Sequence, residues 1–381
     1  MRILVLTSSY PKAEGDFSGR FVEDFVVRLS RFYEVEVLTL PSYGVDSLQI
    51  LSGITVRRCN YLYPNSMQCL DAAADLPTLF DSSLSAKLQI PALLAALFCK
   101  AVELGRRADL ICSHWFVPCG LVAALACRFL RIPHLLIEHS AGLHLLRRSF
   151  PGRVLLRAIS RATDKVVFVS NELLGRFKSI VQNLDATVIP MGVDCSSFAV
   201  PIRRKVGKKV LFLGRIARVK GLDVLVEALA GLEGFELTVA GDGPERSKIE
   251  AKCRWASFLG SVEADKRREL LAENDIVVIP SRRLKDGRSE GLPVVCLEAM
   301  AAGRIVVAAR VGGLQEVIRH AVNGFLFEPE NSLALRKLLA ELPGKDLTDV
   351  AINAVSTAAS YDWEVIIARY VRLIKSVLRD E

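Results

Sequence analysis

Two glutamates, Glu290 and Glu298, lie eight residues apart on either side of a Gly-Leu-Pro turn at 291–293. Such a turn predicts the start of a helix, whose first backbone N–H groups have no partner within the helix. A helix N-terminus of this kind suits the phosphates and hydroxyls of an anionic ligand. Glu290 would precede the helix and reach a sugar of the ligand, while Glu298 would lie about two turns in, on the same face. The alternative is one capping and one solvated glutamate, but the apolar neighbours of Glu298 disfavour a solvated position.

Two cations follow an apolar run at 209–213. Gly214 and Arg215 come directly after the run, and Lys220 opens the next helical pattern. At the carboxyl end of a strand, an Arg and a Lys can clamp a diphosphate, the Arg as a fork and the Lys as a point charge. Two solvated loop cations are the alternative. After the next apolar run, Gly241 and Gly243 would let another backbone approach closely.

The elements that must hold these residues alternate along the whole chain. Short β-rich apolar runs, beginning at 2–7, are followed by helical stripes, the last at 363–378. Repeated βα units give parallel sheets with helices on both faces. The pattern lapses into Ser, Pro and basic residues at 195–207, which indicates a linker between two doubly wound domains. We expect the domains to face each other across a cleft and the ligand to bind there, at the carboxyl ends of strands.

Two segments of the first half are less regular. Residues 41–85 are predicted to be irregular apart from a strand at 54–58, and residues 86–107 to form a helix that breaks near Pro91. The apolar segment at 90–102 is too short to span a bilayer, which takes about 20 residues. The start of the chain has too short an apolar run for a signal peptide.

Composition and missing motifs narrow the classes of function. Of the 381 residues, 51% are hydrophobic and 24% charged, as in globular proteins, and the net charge of +8 fits an anionic substrate or membrane surface without requiring either. Nine cysteines form no C-x-x-C pair, which disfavours a zinc site and fits a reduced, cytosolic protein. The sequence has no G-x-G-x-x-G after its first strand, no phosphate-binding loop of the G-x-x-x-x-G-K-[ST] type and no D-x-D.

Taken together, the motifs resemble those of glycosyltransferase family 4, which are retaining enzymes with the two-domain GT-B fold. The resemblance covers the whole second domain. The motifs that carry it are Gly214-Arg215 with Lys220-Gly221, Gly241-Asp242-Gly243-Pro244, Pro280-Ser281, Glu290-Gly291-Leu292-Pro293 with Glu298-Ala299-Met300, and Val311-Gly312-Gly313 with Glu316 and Asn323-Gly324.

The first domain resembles the family more loosely. Ser18-Gly19-Arg20 resembles a glycine-rich loop that enters the first helix, although Asp16-Phe17 stands where the family has Gly-Gly. His114 and His139 each follow a predicted strand, as histidines of the family do. Either could instead be structural, His139 through a bond to Glu138 or to a backbone carbonyl, and His114 beside Trp115. The segment 190–194 resembles the family's hinge, with Met in place of Asn.

The resemblance implies a role for each matching residue. Arg215 and Lys220 would hold the donor diphosphate, Glu298 the ribose, and Glu290 the donor sugar, with His139 near that sugar. The implied catalytic residues are His139, Arg215, Lys220 and Glu290. The implied donor-binding residues are Gly214, Arg215, Lys220, Gly241, Gly291, Leu292, Pro293, Val294 and Glu298. Gly19, Arg20 and His114 would lie on the acceptor side. No metal or other cofactor is implied.

Two basic clusters bear on partners. Arg153, Arg157 and Arg161 are four residues apart with apolar residues between them, a pattern of helices that lie on anionic membranes but also of ordinary solvated faces. The second cluster lies just before Glu290, where it would meet a phosphorylated acceptor or only water; its members are Arg282, Arg283, Lys285 and Arg288. Neither cluster has interleaved aromatic residues, which disfavours nucleic acid as a partner.

The sequence therefore predicts a two-domain α/β enzyme, with residues 1–194 as the acceptor-binding domain and 195–360 as the nucleotide-sugar-binding domain. A C-terminal helix at about 361–381 would pack back on the first domain. The expected reaction is metal-independent transfer of a hexose or N-acetylhexosamine from a nucleotide sugar, favoured as a UDP-sugar, to a lipid-linked or envelope glycan. A small soluble acceptor and a non-catalytic nucleotide-sugar-binding protein are the alternatives. The expected location is the cytoplasm, with peripheral contact to the inner face of the membrane.

Overall fold

The computed structural model describes residues 1–16, 19–71, 83–182, 184–284, 287 and 290–378. The chain divides into two compact units, one made of Met1–Ile189 and the residues from Ile367 onward, the other of Pro190–Ile366. Each unit is built around its own sheet with helices connecting the strands.

The first unit contains an eight-stranded sheet of order β3-β4-β2-β1-β5-β6-β7-β8, parallel except for the β3–β4 pair. Its strands are β1 (Arg2–Thr7), β2 (Glu34–Thr39), β3 (Leu48–Leu51), β4 (Ile54–Arg58), β5 (Leu110–His114), β6 (His134–Glu138), β7 (Lys165–Phe168) and β8 (Ala186–Val188). The central strands are almost continuously apolar and buried, as expected for parallel strands covered on both faces.

The helices of the first unit connect these strands in two directions. They are α1 (Arg20–Leu29), α2 (Leu84–Gly105), α3 (Leu121–Leu130), α4 (Ala141–Arg147), α5 (Phe150–Arg161) and α6 (Asn171–Lys178). The β1–α1–β2 connection runs toward one edge of the sheet, and the connections from β4 onward run toward the other. Right-handed crossovers then place helices on both faces, and the direction reverses between β1 and β5.

The second unit repeats this plan with a six-stranded parallel sheet of order β11-β10-β9-β12-β13-β14. Its strands are β9 (Lys209–Leu213), β10 (Glu236–Ala240), β11 (Ser257–Gly260), β12 (Ile276–Ile279), β13 (Ile305–Ala309) and β14 (Phe325–Phe327). Its helices are α7 (Cys195–Phe198), α8 (Leu222–Leu229), α9 (Arg246–Glu250), α10 (Ala264–Glu273), α11 (Val294–Ala301), α12 (Leu314–Val317), α13 (Ser332–Glu341) and α14 (Thr348–Ala359). Here the direction of winding reverses between β9 and β12.

The boundary between the units lies five residues before the predicted one. Val193 donates a backbone hydrogen bond to Tyr361, and Trp363 donates one to Val193, which ties the hinge segment to the second unit. The last helix, α15 (Trp363–Val377), begins in the second unit and ends in the first. There the hydroxyl of Tyr370, whose ring is fully buried, donates to the carbonyl of Ile189 over 3.0 Å.

Two local predictions were wrong. Strand β3 lies within the segment predicted to be irregular; it pairs with β4 at the edge of the sheet, and three of its four residues are not buried, so its apolar signal is weak. Helix α2 continues through Pro91 without a break. The buried side chains of Leu93, Leu97 and Ala101 follow Pro91 at helical spacing, and their burial favours continuing the helix.

Helix α2 also bears on membrane insertion. With 22 residues and a mean hydropathy of 1.5, it is long and apolar enough to cross a bilayer. The prediction that this segment is too short for a bilayer considered only residues 90–102. Among the described residues no other helix meets that criterion. Core helices of soluble proteins meet the same criterion, and α2 packs on α3 through buried apolar residues.

Candidate functional site

The second unit carries an ion pair at the point where its winding reverses. Lys220 follows β9, Glu290 follows β12, and the ammonium group of Lys220 lies 2.7 Å from the carboxylate of Glu290. The Ser281 hydroxyl donates to the same carboxylate over 3.4 Å. Ligands of doubly wound sheets bind at this position, because the loops diverge there. Both partners were predicted from sequence as ligand-binding residues; their pairing with each other was not.

Glycines allow the loops to approach closely enough for this pair to form. Gly221 has φ +67°, and a Cβ on it would overlap the carbonyl of Pro280. A Cβ on Gly312 would overlap the carbonyl of Glu290 in the same way. The next residue, Gly313, donates its backbone N–H to the carbonyl of Gly291. Glycine backbone therefore packs directly against the loop after β12, at Pro280 through Gly221 and at Glu290 through Gly312.

The predicted donor-binding backbone adjoins this pair. Gly291 and Pro293 are buried, Leu292 and Val294 are half-buried, and helix α11 begins at Val294. Among the described residues no side chain caps the helix. The N–H of Cys296 donates to the carbonyl of Pro293, and the N–H groups before it have no partner within the helix and can bind a ligand. Gly214 and Arg215 follow β9 directly, where Arg215 is exposed, and the backbone of Gly241 packs against that of Gly214.

The position of Glu298 in its helix and its bonding partner differ from those predicted. It lies one turn into α11 rather than two, because the helix starts only at Val294. Its side chain is buried and its Oε2 binds the guanidinium of Arg267 on α10, which is also buried. Neither the capping nor the solvated alternative applies. Arg267 was missed because it belongs to a charged run, 265–269, that has the pattern of a solvated helix.

The environment of Arg282 also differs from the predicted one. It was placed in a basic cluster facing a phosphorylated acceptor or water, but it is buried and paired with Asp223, with Glu330 3.5 Å away. Its backbone N–H donates to Val219, which joins the loops after β9 and β12. Arg282 therefore holds the loops together. Of the other members, Arg283 is exposed, and Lys285 and Arg288 lie outside the described residues.

In the first unit, two histidines meet near the reversal point between β1 and β5. His114 ends β5 and His139 follows β6, and Nδ1 of His114 lies 2.8 Å from Nε2 of His139. His114 is fully buried, whereas part of His139 is exposed. Burial lowers the pKa of His114 to about 3. Burial, followed by the electrostatic effect of the neighbouring His114, lowers the pKa of His139 well below its usual value. Both imidazoles are therefore neutral near pH 7.

Glu138 holds the loops that carry these histidines. Its Oε2 accepts from the backbone N–H of Phe116 over 2.9 Å, and its Oε1 accepts from Ser140 over 2.7 Å and Leu143 over 3.2 Å. Burial raises the pKa of the Glu138 carboxyl, and the N–H groups that bind the carboxylate oppose that rise. Glu138 thus does not bind the His139 ring, as one alternative had it, but caps the turn after each strand.

The glycine-rich loop of the first unit reaches the same histidines. Gly19 is buried with φ +74° at the start of α1, and a Cβ there would lie 2.6 Å from the backbone nitrogen of Tyr10. Arg20 is the first residue of the helix, and the ring of Phe21 stands 4.9 Å from that of His139. Phe17 and Ser18 lie outside the described residues. Helix α1 thus packs against His139 through Phe21, the residue after Arg20, whereas the predicted donor-binding residues, from 214 to 298, lie in the second unit.

Comparisons with known proteins identify the class. The sequence model described as Glycosyltransferase Family 4 matches residues 18–197, and that of Glycosyl transferases group 1 matches 207–343. An uncharacterized glycosyltransferase of Methanocaldococcus jannaschii is 30% identical over 263 residues, which are 67% of this chain and 72% of that protein. The chain belongs to glycosyltransferase family 4 and is a glycosyltransferase with the GT-B fold of two Rossmann-like domains, as its sequence motifs predicted.

Two further similarities are more specific. A GDP-mannose-dependent alpha-(1-6)-phosphatidylinositol monomannoside mannosyltransferase of Mycobacterium tuberculosis is 29% identical over 248 residues, 58% of this chain and 64% of that protein. The structure of HepE of Anabaena in complex with UDP superposes with a TM-score of 0.74 at 21% identity, covering 99% of this chain and 100% of that one. At this identity the likeness shows a shared fold.

We predict that Gly241→Ala disrupts the loops after β9 and β10. Gly241 has φ +143°, and the added Cβ would overlap the carbonyl of Gly214. Strain and overlap together should lower the free energy of unfolding by about 2 kcal/mol or more, measured by urea unfolding of the full chain. Gly231→Ala is the control, because Gly231 has φ +83° but open space around its Cβ position. Equal losses in the two variants would contradict the close packing described for Gly241.

Proposed function

We propose that the protein transfers a hexose or N-acetylhexosamine from a nucleotide sugar to a lipid-linked or envelope glycan, with retention of configuration and without a metal ion. The observation that carries the proposal is the Lys220–Glu290 pair at the reversal point of the second sheet. It places a cation beside a carboxylate at the start of an uncapped helix. A diphosphate and the sugar attached to it need these two chemistries side by side.

Lys220 and Arg215 are the proposed diphosphate ligands. Negative charge develops on the departing nucleoside diphosphate, so cations placed there stabilise the transition state more than the bound substrate. Without a ligand, the charge of Lys220 is balanced by Glu290. The entering diphosphate takes over this role, which frees carboxylate oxygens of Glu290 to accept hydrogen bonds from sugar hydroxyls. The cations supply the charge stabilisation for which a metal would otherwise be needed.

The two glutamates have different proposed partners. Glu298 is held by Arg267 through one carboxylate oxygen, so a ribose hydroxyl is proposed to donate to the other. Glu290 adjoins Lys220 and is assigned to the donor sugar. Neither is assigned as a nucleophile, because the retaining enzymes that the sequence resembles have no established carboxylate nucleophile. Retention is instead assigned to attack on the face that the diphosphate leaves, assisted by that leaving group.

The identity of the base rests on similarity. HepE was solved with UDP, and this favours a UDP-sugar, whereas the mycobacterial relative is GDP-mannose-dependent and makes GDP the second candidate. That relative's acceptor, a phosphatidylinositol monomannoside, favours a lipid-linked acceptor here. A small soluble acceptor is the alternative reading of the same donor site.

Helix α5 is the proposed contact with the membrane. Arg153, Arg157 and Arg161 are all exposed. Arg157 donates to the carbonyl of Ile180 over 3.2 Å, and none of the three forms an ion pair with a described residue. Phe150 and Val154 on the same helix are exposed apolar side chains. An exposed surface that combines cations with apolar groups suits an anionic membrane, and it supports the proposed location in the cytoplasm, at the inner face of the membrane.

We predict that Glu298→Gln and Glu290→Gln separate binding from transfer. Loss of the ribose contact should weaken binding of the free nucleoside diphosphate, because that contact exists before and during the reaction. Loss of the sugar contact should lower kcat with less effect on nucleoside diphosphate affinity. Calorimetric titration and a transfer assay in EDTA measure the two effects, and the assay should show activity without metal.

The matched control is Glu328→Gln, an exposed glutamate of the second unit that pairs with Arg310. It should change neither quantity. Normal nucleotide affinity in Glu298→Gln would refute the ribose assignment, and a strict metal requirement would refute the metal-independent one.

We predict that the full chain binds vesicles of anionic lipid and that added salt weakens binding. Each basic residue near such a surface contributes about 1 kcal/mol. The triple change of Arg153, Arg157 and Arg161 to Gln should therefore lower the affinity on the order of a hundredfold, measured by vesicle cosedimentation. Nucleotide binding should not change.

A triple change of equal charge in the second unit separates a specific surface from net charge. The exposed residues Arg319, Lys337 and Lys345, changed to Gln, should leave vesicle binding within about twofold of wild type. Equal loss in both triple variants, or no binding at low salt, would favour the soluble acceptor.

A further inference from the structure

The contact between His114 and His139 has the geometry of a hydrogen bond in the plane of both rings. The ring planes lie within 7° of each other, the centroids are 5.1 Å apart, and the nitrogen atoms that face each other are 2.8 Å apart. Because both rings are neutral, one must donate its N–H and the other must accept. The position of one proton therefore decides the tautomer of both rings.

The surroundings of His114 decide where that proton lies. Its other ring nitrogen, Nε2, is buried and has no hydrogen-bond partner among the described residues, and the ring of Phe25 packs 5.6 Å away. A proton on Nε2 would be a buried donor with nothing to bind, whereas a bare Nε2 is a buried acceptor. Unpaired buried N–H groups are the rarer of the two in proteins. The proton of His114 is thus expected on Nδ1, from which it is donated to Nε2 of His139.

His139 must then carry its own proton on Nδ1. That nitrogen makes no hydrogen bond to any described residue. It is not buried either, because part of the His139 ring is exposed. Its N–H is therefore presented on the accessible side of the ring. Trp115 and Phe21 pack against His139 with centroids 5.0 and 4.9 Å from its own, which limits rotation of the ring.

We propose that His114 is a positioning residue that fixes His139 as the Nδ1–H tautomer, so that His139 offers a hydrogen-bond donor to a hydroxyl oxygen of a sugar substrate. This proposal rests on the proposed function, which gives the enzyme sugar substrates. A sugar hydroxyl accepts from such an N–H, and a free nucleoside diphosphate carries no transferred sugar to make this contact. The rival interpretation is that His114 is an ordinary core residue whose contact with His139 only stabilises the fold.

The test is a ¹⁵N-histidine NMR spectrum of the full chain, which reports the protonated nitrogen of each ring. The expected result is Nδ1–H in both His114 and His139 of the wild type. His114→Leu removes the donor, and His139 should then shift toward the Nε2–H form. His114→Asn places an amide N–H near the position of Nδ1 and should restore the wild-type tautomer.

Kinetics give the second readout. His114→Leu should lower kcat/KM for the nucleotide sugar about 10- to 100-fold, the usual effect of losing an orienting partner, with unchanged affinity for the free nucleoside diphosphate. His114→Asn should recover most of that loss. The matched control is His134→Asn on β6, because His134 is equally buried but bonded to Ser113 and Thr163. It should lower the unfolding temperature without altering the His139 tautomer or kcat.

An Nε2–H signal from His139 in the wild type would overturn the proposal. So would a His114→Leu variant that loses thermal stability but keeps the wild-type tautomer and kcat/KM. If no nucleotide sugar supports transfer by the wild type, the proposed function fails, while the tautomer spectra still decide the role of His114.

Discussion

The ion pair between Lys220 and Glu290 depends on loops that pack backbone against backbone at glycine residues, where no side chain separates them. The loops after β9, β12 and β13 meet at one edge of the second sheet, and Gly221 and Gly312 lie against the carbonyls of Pro280 and Glu290. Any larger residue would push these loops apart. Because a hydrogen-bonded ion pair tolerates little displacement, the geometry of the donor site follows from this packing.

The ligand-free site is nearly neutral, with each important charge held by a partner. Lys220 is bound by Glu290, Glu298 by Arg267, and Arg282 by Asp223. These pairs avoid unpaired buried charge, which costs several kcal/mol. An incoming diphosphate competes only for the pair at the surface of the site, where the Lys220 side chain keeps 22% of its exposure. The two deeper pairs can stay intact and hold the helix and loops in place.

In the first unit, a buried carboxylate rather than glycine packing fixes the loops that carry the candidate residues. One buried carboxylate, that of Glu138, binds the turns after β5 and β6 and so places His114 and His139 within hydrogen-bond distance. From sequence, both histidines could be placed at strand ends because parallel strands share a carboxyl edge. Their mutual contact could not be predicted, since it depends on the turns that Glu138 fixes. The same limit applies to Arg267, whose partner Glu298 lies on a different helix and whose neighbours are all charged.

The fold itself was largely predictable. Buried parallel strands form apolar runs that are recognisable in the sequence, and β1, β4 and β9 begin and end where predicted. Prediction was wrong at β3, an edge strand with little buried surface, and at α2, where packing outweighs the cost of Pro91. In both cases tertiary contacts decide the structure, and they leave no local pattern in the sequence.

The most direct test of the donor site is a thermal unfolding screen of the full chain with UDP-, GDP- and ADP-sugars. One of these ligands, at 100 times its dissociation constant, is expected to stabilise the protein by about 2.7 kcal/mol. Lys220→Ala is expected to lose most of this stabilisation at the same ligand concentration. Absence of stabilisation by every nucleotide sugar, or an equal effect in Lys220→Ala, would contradict the assignment of this edge of the sheet as the donor site.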